Sequence, residues 1–422
     1  MCKTTTATQT APKAGLTDVK PNRLPVVPGT GLQPYLDKYY AQALAAHALG
    51  TQPANDATAS LHVPISLFAH VLSGSGHFYA GIHDDEMHFS ASLMKVAAMF
   101  AADALRAEAR ALAAGGGFAN ETAFFTALGT QFNPADAVPA IQNAGVGLKP
   151  RYKDVLKVTG FGGGPLQVEF APDFSVPLDV DRPLYQHYQT VHAHEVSLNH
   201  IEDDEENPVT MAELNKVSHF YKMIVPSNNT SAGECIRRVG YAYINVKLMT
   251  AGLYEPLPTP KGIWLAADFA GAPRVEIDSV NDGKSGQATT SRQMARFFSL
   301  IDLGLLVDPA HSGDMKALLR EAATVDSPWL SRFGTRKYTF GGVKVGVANL
   351  KPNTNPKGPN VYSEGVLLKW KGDAGKLAHF NLSGRIVVCW QNIRKSAFNT
   401  GVDAIAQMIE KAFADFLDQA PV

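Results

Sequence analysis

The chain has 422 residues, 45% of them hydrophobic and 18% charged, and a formal net charge of -1. Such a chain buries a substantial core and is long enough for two or three domains or subdomains. It has no global basic field and no Lys/Arg run interleaved with aromatics, which speaks against nucleic acid as a partner, and no apolar run reaches the roughly 20 residues of a membrane-spanning helix.

The chain starts Met1-Cys2 and continues with a polar tract to Lys13. That has the look of a bacterial lipoprotein's mature start with a lipid anchor at Cys2; the plainer reading is a disordered tail over 1-33, since the first 40 residues lack a signal peptide's apolar core. A first helix is predicted over Gln33 to His47. Ile65 to Leu72 and His77 to Ile82 read as two strands joined by the turn Ser73-Gly74-Ser75-Gly76. Leu93, Val96, Ala97, Phe100 and Ala104 then recur at helical spacing until the breaker Gly115-Gly116-Gly117.

Where strand pattern gives way to helix stands Ser92-Leu93-Met94-Lys95, the only S-x-x-K in the chain. Residues three apart share a helix face, so the amine can reach back towards the hydroxyl. A serine is a weak nucleophile until a neighbour takes its proton, and a lysine serves only if part of its amine is neutral. Burial and the positive end of a helix both push in that direction. The bland alternative is an N-cap serine followed by a solvated first-turn lysine.

Residues from about 115 to 207 mix glycine, proline and short apolar runs and end in the acidic stretch Glu202 to Glu206. Within them His187, His192, His194 and His200 lie near Glu195, a zinc-like spacing outweighed by the commoner loop-histidine reading, so no metal or other cofactor is expected. Cys235 and Cys389 sit in apolar helix and strand patterns and read as buried free thiols.

Helical order resumes over Met211 to Val225, Ala232 to Val239 and Tyr241 to Met249. Ser227-Asn228-Asn229 lies at the break between the first two, a setting suited to presenting a hydroxyl and an amide to a cleft. S-x-N recurs at Ser197 and Ser279, and a serine N-cap is the bland reading of Ser227. Glu255 to Gly286 reads as loop, Ser291 to Leu303 and Met315 to Ala323 as helices. Val343 to Ala348, Val361 to Lys369 and Arg385 to Gln391 read as strands, and Val402 to Leu417 as a closing helix. A lysine before a small residue and glycine occurs as Lys284-Ser285-Gly286, which leads into a capped helix start, and as Lys344-Val345-Gly346, which lies in a strand pattern; the second has the better context.

Four segments in this order, around Ser92, around Ser227, at Ala288 to Arg292 and at Lys344 to Val347, resemble the penicillin-recognising serine hydrolases: serine β-lactamases, D-alanyl-D-alanine carboxypeptidases and transpeptidases. The resemblance covers about 62-114 and 210-417. It implies an α+β fold (an α/β arrangement), with an antiparallel sheet flanked by the N- and C-terminal helices plus an all-helical subdomain. The expected organisation is a tail over 1-33, a sheet subdomain from 34-91 and 285-422, and a helical subdomain over 92-284 with an insertion at about 115-207.

The resemblance also implies roles. Ser92 would attack a carbonyl to give an acyl-enzyme, Lys95 would act as base, and Ser227 would relay a proton to the leaving group. Asn229 would hold the substrate amide and orient Lys95. Lys344 would add positive charge near Ser227, Val345 and Gly346 would belong to the substrate-binding segment, and the backbone N–H groups of Ser92 and Val347 would form an oxyanion hole. The substrate class is a small-molecule or peptide-like amide or β-lactam, and the family habit is extracytoplasmic.

Two departures stand out. Position 345 is valine where the family places a hydroxyl for the substrate carboxylate, and no Glu-x-x-Leu-Asn follows Ser227 to supply a deacylating glutamate. Asp268 falls in the corresponding region and reads as a solvated loop carboxylate. An esterase of the same fold and a non-catalytic penicillin-binding or sensor module remain as alternatives.

Overall fold

The computed structural model describes residues 26–27, 31–46, 52–53, 60–61, 63–72, 77–144, 149–175, 218–225, 227–256, 259–269, 275–326, 338–349, 360–394 and 398–419. Cys2, the four histidines from His187 to His200 and the acidic run lie outside them.

Six strands form the main sheet: β1 (Val26–Val27), β2 (Ile65–Val71), β3 (His77–Ile82), β4 (Tyr338–Asn349), β5 (Asn360–Trp370) and β6 (Leu382–Arg394). Their spatial order is β1-β3-β2-β6-β5-β4. The two early and three late strands expected from the sequence pair antiparallel as one sheet, giving the mixed helix-and-sheet fold. The tail reading needs a correction: Val26–Val27 pairs in parallel with His77 and Phe78, because an extended valine pair can satisfy the open edge of β3.

The sheet is buried on both faces, and the period-2 alternation divides its side chains between two cores. Ile65, Leu67, Ala69, Ile386, Val388 and Trp390 face one core, which also holds residues of helix α1 (Gln33–Ala45) and of the closing helix (Phe398–Leu417). Phe68, Val387 and Cys389 face the other, shared with α2 (Lys95–Ala114), α3 (Asn229–Val239), α4 (Tyr241–Thr250), α5 (Ser291–Asp302) and α6 (Pro309–Asp326). The closing helix is α7. Gly365 lets α5 lie close on the sheet, since a Cβ there would come 2.1 Å from the Phe298 ring.

Helix α2 runs through the middle of the second core, and its alanines allow neighbours to approach on nearly every side. Short ribbons lie among the helices of this part of the chain. Leu156–Thr159 pairs with Gln167–Phe170, and Tyr254–Glu255 pairs with Lys261–Gly262. Trp264–Leu265 pairs with Gln287–Thr289, which in turn pairs with His88–Phe89. Much of the stretch read as loop from Glu255 is therefore strand, in pieces of two or three residues too short to show a period. Among the described residues no helix is long and apolar enough to cross a membrane.

Candidate active site

Ser92 lies in a 3-10 turn, Ala91–Met94, that feeds directly into α2. Neither helix start uses it as a cap: the N-cap positions are Ser90 and Met94, and neither makes a side-chain capping bond. The bland reading of Ser92 thus fails on geometry, and the half-buried residue is left at the head of a buried helix. The residue before it, Ala91, takes φ +45°, a left-handed conformation that costs a side-chain-bearing residue energy.

That bend is held by buried polar groups. The Phe89 N–H donates to Ser279 Oγ at 2.9 Å and Asn281 Oδ1 at 2.7 Å, and Asn281 Nδ2 donates back to the Phe89 carbonyl at 3.2 Å. Ser90 Oγ donates to the His88 carbonyl and accepts from Gln391 Nε2 at 2.6 Å, which also reaches the Thr289 carbonyl. In the sequence Asn281 ends an S-x-N match that is passed over for Ser227, and Gln391 is only the end of a strand. Their signal, a polar residue inside an otherwise apolar strand or beside a turn, is readable but common.

Lys95 is completely buried. Its Nζ donates to Ser227 Oγ at 3.1 Å, to Asn229 Oδ1 at 2.8 Å and, through a short bond, to the Ser227 main-chain carbonyl. Three residues expected to act together are thus joined across 132 to 134 positions of chain. Ser227 takes φ +60°, so left-handed non-glycine backbone occurs at Ala91, before Ser92, and again at the partner of Lys95. The cap of α3 is Asn228, whose Oδ1 accepts from Ser231 N at 2.8 Å, which leaves the Ser227 hydroxyl to Lys95.

The Lys344 segment lies on β4, the sheet's edge strand, which packs beside the turn that carries Ser92. In register, Lys344 pairs with Gly365, Val345 with Glu364, Gly346 with Ser363 and Val347 with Tyr362. Lys284 instead sits exposed on a separate two-stranded ribbon.

Asp268 corrects one expectation. It is buried, not solvated, because Arg237 on α3 reaches its Oδ2 at 2.6 Å. Its neighbour Phe269 lays its ring over Lys95, with Nζ 4.6 Å from the centroid. Sequence reading passed over Phe269, since nothing local marks an aromatic that covers a lysine so far away in the chain. Cys235 and Cys389 are buried free thiols, and burial pushes both well above the ordinary thiol range. Among the described residues no group of three or more His, Cys, Asp or Glu could hold a metal.

The profile of the β-lactamase enzyme family matches residues 212–333, the span that carries Ser227, Asn229 and Asp268. Over that span the chain is similar to the β-lactamase enzyme family. Solved structures similar to the chain include a class A β-lactamase from Bacteroides cellulosilyticus, 11% identical, with 91% of this chain and 99% of that one covered at a TM-score of 0.46. A β-lactamase from Chitinophaga pinensis is 11% identical over 92% and 100% at 0.45. One from Sphaerobacter thermophilus is 14% identical over 91% and 97% at 0.43. None of the curated proteins matches the chain.

Proposed function

We propose that the protein is a serine hydrolase that works through an acyl-enzyme on an amide, β-lactam or peptide-like substrate. The observation that carries this reading is the fully buried Lys95, bonded at once to Ser227 Oγ and Asn229 Oδ1 and one helical turn from Ser92.

In that reading Ser92 Oγ attacks the carbonyl carbon while its proton passes to the neutral amine of Lys95. Nearly all of Lys95's surroundings are protein rather than water, which suits a lysine that must spend time uncharged. Ser227, within hydrogen-bond reach of Lys95, hands the proton on to the leaving nitrogen, so the C–N bond breaks as an amine departs. The N–H groups of Ser92 and Val347 receive the oxyanion, and loss of one such donor typically costs about 10²–10³ in rate. Asn229, at the exposed mouth of the cleft, has an amide to offer a substrate while its Oδ1 fixes Lys95.

Valine at 345 favours a second reading on the substrate side. It offers no hydrogen bond to a carboxylate, so an ester or an uncharged amide suits the strand better than a penicillin or a D-alanine terminus. Hydrolysis of a chromogenic cephalosporin against a short-chain aryl ester separates the two.

The deciding experiment is intact-protein mass after incubation with a fluorescent penicillin and, separately, with an aryl ester, for wild type and Ser92→Ala. A Ser92-dependent adduct or turnover is expected. Equal labelling of both proteins, or turnover that survives Ser92→Ala, removes Ser92 as nucleophile.

A further inference from the structure

From the position of Phe269 we infer that its ring closes the water side of Lys95, so that the acyl-enzyme forms readily and hydrolyses slowly. This rests on the acyl-enzyme reading above and adds to it a residue that sets how long the intermediate lasts.

Hydrolysis of the intermediate needs a water whose oxygen bonds to the acyl carbon as the C–Oγ bond to Ser92 breaks. One water proton goes to a base, and Ser92 Oγ recovers a proton. The base must lie beside both water and ester, and two groups are placed to be considered. Lys95 is the first, and Phe269 covers one side of its amine at 4.6 Å. A water hydrogen-bonded to Nζ needs about 2.8 Å to the amine and about 3.5 Å more to ring carbon, so none fits between them. Ser227 and Asn229 hold other directions of the same amine.

Asp268, next to Phe269 in the chain, is the second. Its carboxylate is 4% exposed and committed to Arg237, which is itself fixed to Glu234 by a 2.6 Å bond. The ion pair points this carboxylate towards α3, and the adjacent ring takes the place over the lysine. Dry walls around a reactive ester protect it from hydrolysis.

Phe269 is therefore a positioning residue, acting through Lys95 and the solvent it excludes. The test follows the adduct by intact-protein mass after a short pulse of fluorescent penicillin or p-nitrophenyl acetate, in wild type, Phe269→Ala, Phe269→Leu and Asp268→Asn, with folding checked by circular dichroism. Phe269→Ala is expected to acylate as fast as wild type and to lose the adduct at least about tenfold faster, since water gains access. Phe269→Leu keeps the space filled and should keep the lifetime within about threefold of wild type. Equal lifetimes in wild type and Phe269→Ala would overturn the inference. So would an adduct that persists much longer in Asp268→Asn, which would make Asp268 the water-activating base. No adduct in any folded variant would instead remove the acyl-enzyme reading, and this inference with it.

Discussion

Two of the chain's S-x-N tripeptides serve the neighbourhood of Ser92 to opposite ends. Ser227-Asn228-Asn229 turns a hydroxyl, a carbonyl and an amide oxygen towards Lys95, with Ser227 itself in a left-handed conformation. Ser279-Val280-Asn281 turns its serine and asparagine inward, and both are buried against the main chain of Phe89. One segment meets a side chain that chemistry would use; the other fastens the strand that precedes Ser92. Spelling does not separate them. What does is the partner each finds more than a hundred residues away, a lysine in one case and a peptide group in the other.

Substitution can break this contrast most directly at Ser227. Ser227→Ala is expected to lower the acylation rate by about 10² or more, the usual weight of a positioned proton-transfer group, with the melting temperature little changed. Stopped-flow labelling with a fluorescent penicillin and a thermal melt read the two quantities. A variant that melts early but acylates normally would assign Ser227 to scaffolding.

Asn281→Ala should do the reverse. It removes one of the two acceptors of the Phe89 N–H, a donor to the Phe89 carbonyl and the acceptor of the buried Ser279 hydroxyl, and leaving such a buried group unpaired costs about 1–3 kcal/mol. A clear loss of stability in urea is expected. Any fall in acylation should then follow the loosened turn at Ala91 and be recovered in part on cooling. An Asn281→Ala protein as stable as wild type would undo the contrast from its other side.

A smaller effect sharpens the contrast by lying outside both segments. Burial, with help from His70 and Arg385, pushes His77 down to about 4, and its Nδ1 accepts the Val71 N–H, a role open only to the neutral ring. The unfolded chain binds that proton first, at the ordinary histidine value of 6.5, so the contribution is whole above pH 6.5 and is lost as pH falls towards 4. The melting temperature of wild type minus that of His77→Gln should therefore shrink from pH 7 to pH 4, while acylation at neutral pH stays the same. The difference is the quantity to read, because Asp103, pushed up to about 7 by burial despite Arg106, titrates in the opposite sense. A difference that stays flat with pH would show His77 to be unshifted.

The fold was legible wherever a period repeats long enough to declare itself. The strands flanking the Ser73–Gly76 turn, the alanine-rich α2 and the three late strands are long enough for a strand or helix pattern to show, and each is readable to within a few residues. The ribbons between Tyr254 and Thr289 were not, because two or three residues carry no period and their pairing depends on distant partners. In the site, Ser92 and Lys95 declared themselves by spacing within one turn. The meeting of Lys95 with Ser227 is tertiary, reachable only through motif order. The burial of Asp268 and the ring of Phe269 over the amine were beyond reach, since a loop carboxylate and a loop aromatic look the same in sequence whether or not an arginine and a lysine await them.

The pairing of Ile65 with Trp390 sets an order of assembly. β2 is a central strand whose one neighbour, β3, is made almost at once, while the other belongs to the last part of the chain to be synthesised. Until β6 emerges, the early hairpin carries an apolar open edge, and neither core can close on its second wall. Contacts so far apart in sequence make folding slow. The edge strand beside Ser92 docks through β5 and β6, so it reaches the Ala91–Met94 turn only as the sheet is completed. A nascent chain thus carries this open edge well before the segment around Ser92 meets β4.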